Sequence, residues 1–269
     1  MLVDALFGVL YGVLEGVTEW LPISSTGHLI LLRAFLPQTT NDVFFSLFEV
    51  VIQLGAMLAV VVLFWNKLSP FTRDCERRRA VLLLWGKIAV AVLPAAALGV
   101  LFDDFLEQHL SSPTVVAIML ILYGILFLIP FDRFCRARAV SVENISFRTA
   151  LGIGFFQALS LIPGTSRSGA TILGGLLLGA SRVAAAEFSF FLGLPTIAGA
   201  SLLRGVKFFA VGGTLTVGEV VMLTVGTVTA FLVSLVTIRF LMNFVRRHSF
   251  KPFGVYRLAL GVAVLLTLL

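Results

Sequence analysis

Two segments of the chain carry side chains that can do chemistry. In Glu15-Gly-Val-Thr-Glu19 two carboxylates sit four residues apart, on one face of a helix within an apolar stretch. Burying both as anions is costly unless a divalent metal, an arginine or a shared proton offsets the charge, and metals and protons are agents of phosphoryl chemistry. The plainer alternative is a pair of surface glutamates at a membrane boundary. Just downstream, Ser24, Ser25 and Thr26 place three hydroxyls beside Gly27 and His28. His28 can act there as acid, base or nucleophile; otherwise the segment is an ordinary hydroxyl cap with a satisfied histidine. The second segment, Pro163-Gly-Thr-Ser-Arg-Ser-Gly-Ala-Thr171, joins the Arg167 fork to the hydroxyls of Ser166, Ser168 and Thr171 and the N–H groups of a helix start. That is an oxyanion cradle, with phosphate as its natural guest. It lacks the lysine and spacing of a P-loop. Arg167 could also serve only as counter-ion to Glu15 or Glu19.

Composition dictates the elements that position these segments. A chain of 269 residues, 59% hydrophobic and 13% charged, with mean hydropathy +1.05, belongs in a bilayer; disorder, coiled coil and nucleic-acid binding are excluded. The net charge of +6 sits in short loops and reports topology before partners. Six apolar runs read as whole spans: residues 43–65, 80–102, 114–130, 183–202, 217–238 and 254–269. Two further stretches, 2–36 and 149–180, are interrupted at 22–27 and 163–169 by Pro, Gly, Ser and Thr. Backbone groups freed by such breaks need protein or a watery cavity around them, so each stretch reads as a re-entrant helical hairpin. The expected fold is therefore an all-α integral membrane protein of six transmembrane helices plus two re-entrant hairpins.

Loop charge sets the orientation. Basic loops hold Lys67, Arg73, Arg77, Arg78 and Arg79, then Arg133, Arg136, Arg138 and Arg148, then Arg239, Arg246, Arg247 and Lys251. They alternate with loops holding Asp103, Asp104 and Glu107, or only Arg204 and Lys207. The basic face is expected in the cytoplasm and both termini outside. Cys75 and Cys135 fall in basic loops, so a reduced, unbridged pair is expected and a zinc site is unsupported. No cleaved signal is legible at the N-terminus.

A shift of 141 residues lays Pro22 on Pro163, Ser24 on Thr165 and Ser25 on Ser166, and a second echo relates Phe45-Ser-Leu-Phe48 to Phe188-Ser-Phe-Phe191. One membrane domain, 1–269, thus divides into repeats 1–130 and 149–269. Each holds an interrupted hairpin and three spans, an odd number of crossings that inverts the second copy and brings broken helices together near midplane. Elsewhere, Glu49 and Gln53 share a helix face, and Glu187 can pair with Arg182 or complement a helix dipole. Arg33, Lys87, Glu219 and Arg257 lie close enough to expected span ends to snorkel. The phenylalanines read as lipid-facing and packing residues.

The Glu15-x-x-x-Glu19 pair, the Ser-Ser-Thr-Gly-His ending at His28 and the Pro163-Gly-x-Ser-Arg-Ser-x-x-Thr171 motif resemble those of the undecaprenyl-diphosphate phosphatase, or bacitracin-resistance, family. The likeness runs nearly end to end, including 45–56 and 187–194. It implies a multi-pass enzyme of the bacterial inner membrane, with its active site opening to the periplasmic face. Such an enzyme removes the terminal phosphate of a C55 polyprenyl diphosphate and so recycles the carrier lipid for cell-wall synthesis. It further implies dependence on a divalent cation, magnesium or calcium, held through Glu15 and Glu19. Glu15, Glu19, Ser25, His28 and Arg167 would be catalytic, while Ser24, Thr26, Gly164, Ser166, Ser168 and Thr171 would bind the diphosphate. The nucleophile stays open between Ser25, His28 and an activated water. Expected partners are the polyprenyl diphosphate and the bilayer, with no nucleic acid and a homodimer left open. The rival class is a secondary transporter or flippase for a phosphate-bearing lipid or anion, because broken helices in inverted repeats also build transporters.

Overall fold

A computed structural model describes residues 1–36, 40–110, 112–131 and 137–268. Cys135, Arg133 and Arg136 lie outside the described residues, whereas Cys75 is a free, exposed thiol. The described chain is helical: α1 (Leu2–Thr18), α2 (Ser25–Phe35), α3 (Asp42–Leu63), the short α4 (Trp65–Leu68), α5 (Cys75–Leu110), α6 (Pro113–Leu128), α7 (Phe147–Ala158), α8 (Arg167–Leu177), α9 (Arg182–Ala210), α10 (Val217–Arg247) and α11 (Lys251–Leu268). Hydroxyl or amide side chains start most of them: Asn41 accepts the N–H of Phe44, Ser112 that of Val115, Ser181 that of Ala184, and Thr216 forms a capping box with Glu219.

Five helices are long and apolar enough to cross a membrane: α3, the 75–102 part of α5, α9, α10 and α11. The chain is thus a multi-pass membrane protein by length and composition. The sixth expected span, α6, has 16 residues, about 24 Å at 1.5 Å each, short of a hydrocarbon core of about 30 Å. Several expected boundaries move. Helix α10 runs on through Arg239 to Arg247, α9 carries Arg204 and Lys207, and α5 continues through 103–110, all places read as loops. Charge marks where a helix leaves the bilayer, not where it ends; arginine and lysine are good helix formers and favour C-terminal turns.

Small residues hold the helices close. Gly8, Gly12 and Gly16 form a stripe on α1 against α10, where a Cβ on Gly12 would come within 2.5 Å of the Gly226 carbonyl oxygen. On its other side α10 meets α3 at Gly55, and α7 meets α5 at Gly154 in the same manner. Helices α3 and α9 cross through a fully buried aromatic core that includes Phe44, Phe48, Phe188, Phe190 and Phe191. Between α1 and α2, and between α7 and α8, the helical ladder stops and restarts, and these two breaks face each other.

Candidate active site at the meeting of two broken helices

The first break begins at Glu19. Its N–H still bonds the Glu15 carbonyl at 3.0 Å, so the turn joining the two acids is intact, and Pro22 then prevents the helix from continuing. The helix restarts at Ser25, capped by Ser24, and the second break restarts at Arg167, capped by Ser166. Both caps are built alike: Ser24 (φ 73°) accepts the N–H of Gly27 at 3.4 Å, and Ser166 (φ 71°) that of Gly169 at 3.1 Å. They are the two non-glycine residues with positive φ among the described residues, a conformation costing about 1–3 kcal/mol that persists only where surroundings enforce it. Ser24 therefore corresponds to Ser166, an offset of 142 and not the 141 read from sequence. The second break is one residue longer, at Gly164 (φ 89°), where a Cβ would lie 2.5 Å from the Val116 carbonyl oxygen.

Side chains from the two breaks interlock. The Glu19 Oε1 atom accepts Arg167 Nη2–H at 3.0 Å and Nε–H at 3.3 Å, and its Oε2 accepts the Ser25 hydroxyl at 3.0 Å. Arg167 Nη1–H donates to the Ser189 carbonyl at 2.8 Å, and the guanidinium lies 5.8 Å from the Trp20 ring centroid. Ser168 donates across the interface to the carbonyls of Glu19 (3.0 Å) and Leu21 (3.3 Å). Thr171 bonds the Arg167 carbonyl at 2.8 Å and the Ser189 hydroxyl at 2.6 Å. Ser168 and Thr171, expected to bind the diphosphate, are buried, and their hydroxyls bond protein partners. Ser166 bonds the Ser168 hydroxyl at 3.2 Å, and Thr26 is exposed.

Glu15 is fully buried, and neither of its carboxylate oxygens has a hydrogen-bond partner. Trp20 Nε1 and Thr165 Oγ1, one in each break, are also buried without partners. Buried polar groups left without a protein partner call for water or an ion.

His28 faces a different way. Its Nδ1 lies 2.7 Å from the Ser24 carbonyl oxygen, which can only accept, so Nδ1 carries a proton. In the neutral ring Nε2 is then the acceptor, and it receives the Tyr256 hydroxyl at 2.7 Å, with the rings stacked 5.5 Å apart. His28 and Tyr256 form the polar end of an apolar cavity of about 720 Å³, walled by Leu14, Val17, Phe240, Phe244 and, from the first break, Leu21 and Ile23.

The sequence model of bacitracin resistance protein BacA matches residues 8–263. The chain belongs to the BacA family. It is 52% identical to an undecaprenyl-diphosphatase of Enterococcus faecalis over 93% of this chain and 92% of that protein. It is 51% identical to one of Streptococcus thermophilus (98% and 93%) and 46% identical to one of Lactiplantibacillus plantarum (98% of each).

Besides Tyr256, three residues of this BacA-family site escaped the sequence reading. Arg257, taken for a snorkelling side chain, is fully buried, and its guanidinium donates to the carbonyls of Pro22 (3.2 Å), Gly164 (2.7 Å) and Thr165 (3.0 Å). It supplies donors from α11 to carbonyls of both breaks, as buried backbone groups require. The unpaired carbonyls of two interrupted helices were the signal that could have found it. Ser189 holds Arg167 and Thr171, and a Cβ on Gly193 would come within 2.7 Å of Arg167 Nη1. Ser189 lies in the stretch of α9 that echoes 45–48, so the repeat pointed to it, whereas Gly193 lies two residues beyond. Glu187 is bound by Lys67 Nζ at 2.6 Å.

Proposed function

We propose that the chain is an undecaprenyl-diphosphatase. It hydrolyses undecaprenyl diphosphate to undecaprenyl phosphate and inorganic phosphate, and so regenerates the lipid carrier of cell-wall synthesis. The observation that carries this reading is Glu19, whose two carboxylate oxygens bridge the Ser25 hydroxyl of one break and the Arg167 guanidinium of the other. A guanidinium has five N–H donors. Those on Nε and one each on Nη1 and Nη2 are engaged, which leaves two for phosphate oxygens.

In this mechanism Ser25 Oγ attacks the terminal phosphorus as its proton passes to Glu19, and the bond to the bridging oxygen breaks to release the lipid monophosphate. Water then cleaves the phosphoserine; its proton replaces the one Glu19 surrenders to the Ser25 oxygen. Arg167 holds the non-bridging oxygens through both steps. The apolar cavity takes the first prenyl units, with His28 and Tyr256 near the lipid phosphate. Glu15 fits the divalent cation expected of the family: its two hard oxygen donors are buried, unpaired and one turn from Glu19. Among the described residues no group of three or more His, Cys, Asp or Glu side chains gathers around it, so water and substrate oxygens would complete its shell, as magnesium prefers. When bound, such an ion neutralises diphosphate charge.

The same reading takes the two breaks as tips of re-entrant hairpins in an inverted repeat opening to the periplasm. Support comes from the matched caps at Ser24 and Ser166 and from reciprocal packing, α1 on α10 and α7 on α5. Phosphate release from undecaprenyl diphosphate in detergent with magnesium or calcium tests the function, using Glu19→Ala, Ser25→Ala, His28→Ala and Arg167→Ala. Loss in the Glu19, Ser25 and Arg167 variants is expected. No hydrolysis by the intact protein, with lipid movement in sealed vesicles, would favour a transporter. Rapid-quench labelling that yields no phosphoenzyme during turnover would remove Ser25 as nucleophile.

A further inference from the structure

A second polar cavity lies away from the breaks. It holds about 510 Å³ between the end of α3, the start of α9 and the last third of α10. Leu63, Phe64, Val183, Ile238 and Met242 form its apolar half, and Lys67, Glu187, Arg239, Asn243 and Arg246 its polar half. None of the residues that join the two breaks lines it.

The charges are unequal. Glu187, with 4% of its side chain exposed, is bound by Lys67. Lys67 also lies 3.7 Å from Glu143, outside the cavity lining, while Arg239 and Arg246 make no salt bridge among the described residues, so two guanidiniums are left over once Lys67 is paired. The two arginines are seven residues apart on α10, two turns along one face, with Met242 and Asn243 between them. Two guanidinium forks above an apolar floor match a ligand that is anionic at one end and hydrocarbon at the other. Their place at the basic end of a membrane-spanning helix sets that ligand at headgroup depth.

We infer that this groove is a binding site for an anionic phospholipid, its phosphodiester held by Arg239 and Arg246 and its first acyl carbons lying on Phe64, Ile238 and Met242. Inorganic phosphate shares the anionic chemistry but leaves the apolar half empty. A zwitterionic lipid fills the apolar half but brings a choline that the arginines repel. The occupant chosen by charge and shape together is a lipid of net negative charge.

The test uses the full chain in detergent, with native mass spectrometry and thermal unfolding in the presence of phosphatidylglycerol, phosphatidylcholine or inorganic phosphate. Phosphatidylglycerol alone is expected to stay bound and raise the unfolding temperature. Arg239→Gln with Arg246→Gln should weaken its binding about thirtyfold, from two basic contacts near a membrane surface. Arg239→Lys with Arg246→Lys should keep most of it. Hydrolysis of the diphosphate in lipid-free detergent should be unchanged in both pairs, which shows that they fold. Equal binding of phosphatidylglycerol by intact protein and the glutamine pair would overturn the assignment. So would equal stabilisation by phosphatidylcholine or by inorganic phosphate. If the glutamine pair does not fold, preference of the intact protein for phosphatidylglycerol over both competitors supports the site, and its absence overturns it.

Discussion

Replacing Gly193 by alanine adds one methyl group to α9 directly beneath the Arg167 guanidinium. The new Cβ would sit 2.7 Å from Nη1, 2.8 Å from Cζ and 2.9 Å from Nη2, where ordinary contact begins near 3.4 Å. The obstacle is the far end of a flexible side chain, so the fold can yield, but the guanidinium must move by roughly 0.5–1 Å. That displacement strains its bonds to Glu19 and the Ser189 carbonyl and moves the two free N–H groups off target. A misplacement of about 1 Å costs on the order of 10²-fold in a positioned reaction. Gly193→Ala should therefore lower kcat by about ten- to a hundredfold in the detergent phosphatase assay while unfolding within a few degrees of the parent. Gly199→Ala, on the same helix with no atom within 4 Å of the added carbon, is the control and should be silent. Parental kcat in Gly193→Ala would refute the argument that Arg167 must hold this position for turnover.

Tyr256→Phe deletes the hydroxyl donated to His28 Nε2 but keeps the stacked ring. A net hydrogen bond of about 1 kcal/mol predicts a roughly fivefold lower kcat with little change in folding, and unchanged kcat would remove Tyr256 from the site. Ser166 separates strain from capping. Ser166→Ala keeps the left-handed backbone and loses the cap, for a cost of about 1 kcal/mol, whereas Ser166→Gly relaxes the backbone at a capping loss of a few tenths. Thermal unfolding should rank alanine below glycine, and the reverse order would show that φ at Ser166 is unstrained.

The breaks were legible because Pro, Gly, Ser and Thr stand out within apolar runs, and Glu19, Ser25 and Arg167, which the structure brings together, stand in or beside them. Arg257 was not, since its partners are backbone carbonyls and any residue type can supply one. The His28–Tyr256 pair joins positions 228 residues apart, with no periodicity to announce it. The offset between the halves was misread by one because the extra residue at Gly164 falls inside the motif being aligned. Helix ends at Arg247 and Leu110 were misplaced because hydropathy locates the bilayer boundary and is blind to the hydrogen-bond ladder that crosses it.

The guanidinium of Arg257 belongs to α11, downstream of both breaks, while the carbonyls it satisfies belong to Pro22, Gly164 and Thr165. A ribosome delivers the chain from the other end. Both kinked arms are made, and must lodge in the translocation machinery or the bilayer with their carbonyls unanswered, before α11 arrives to lock them. The two arms are thus locked only after both have left the ribosome, and a chain interrupted before α11 would hold Glu19, Ser25 and Arg167 with those carbonyls still unanswered.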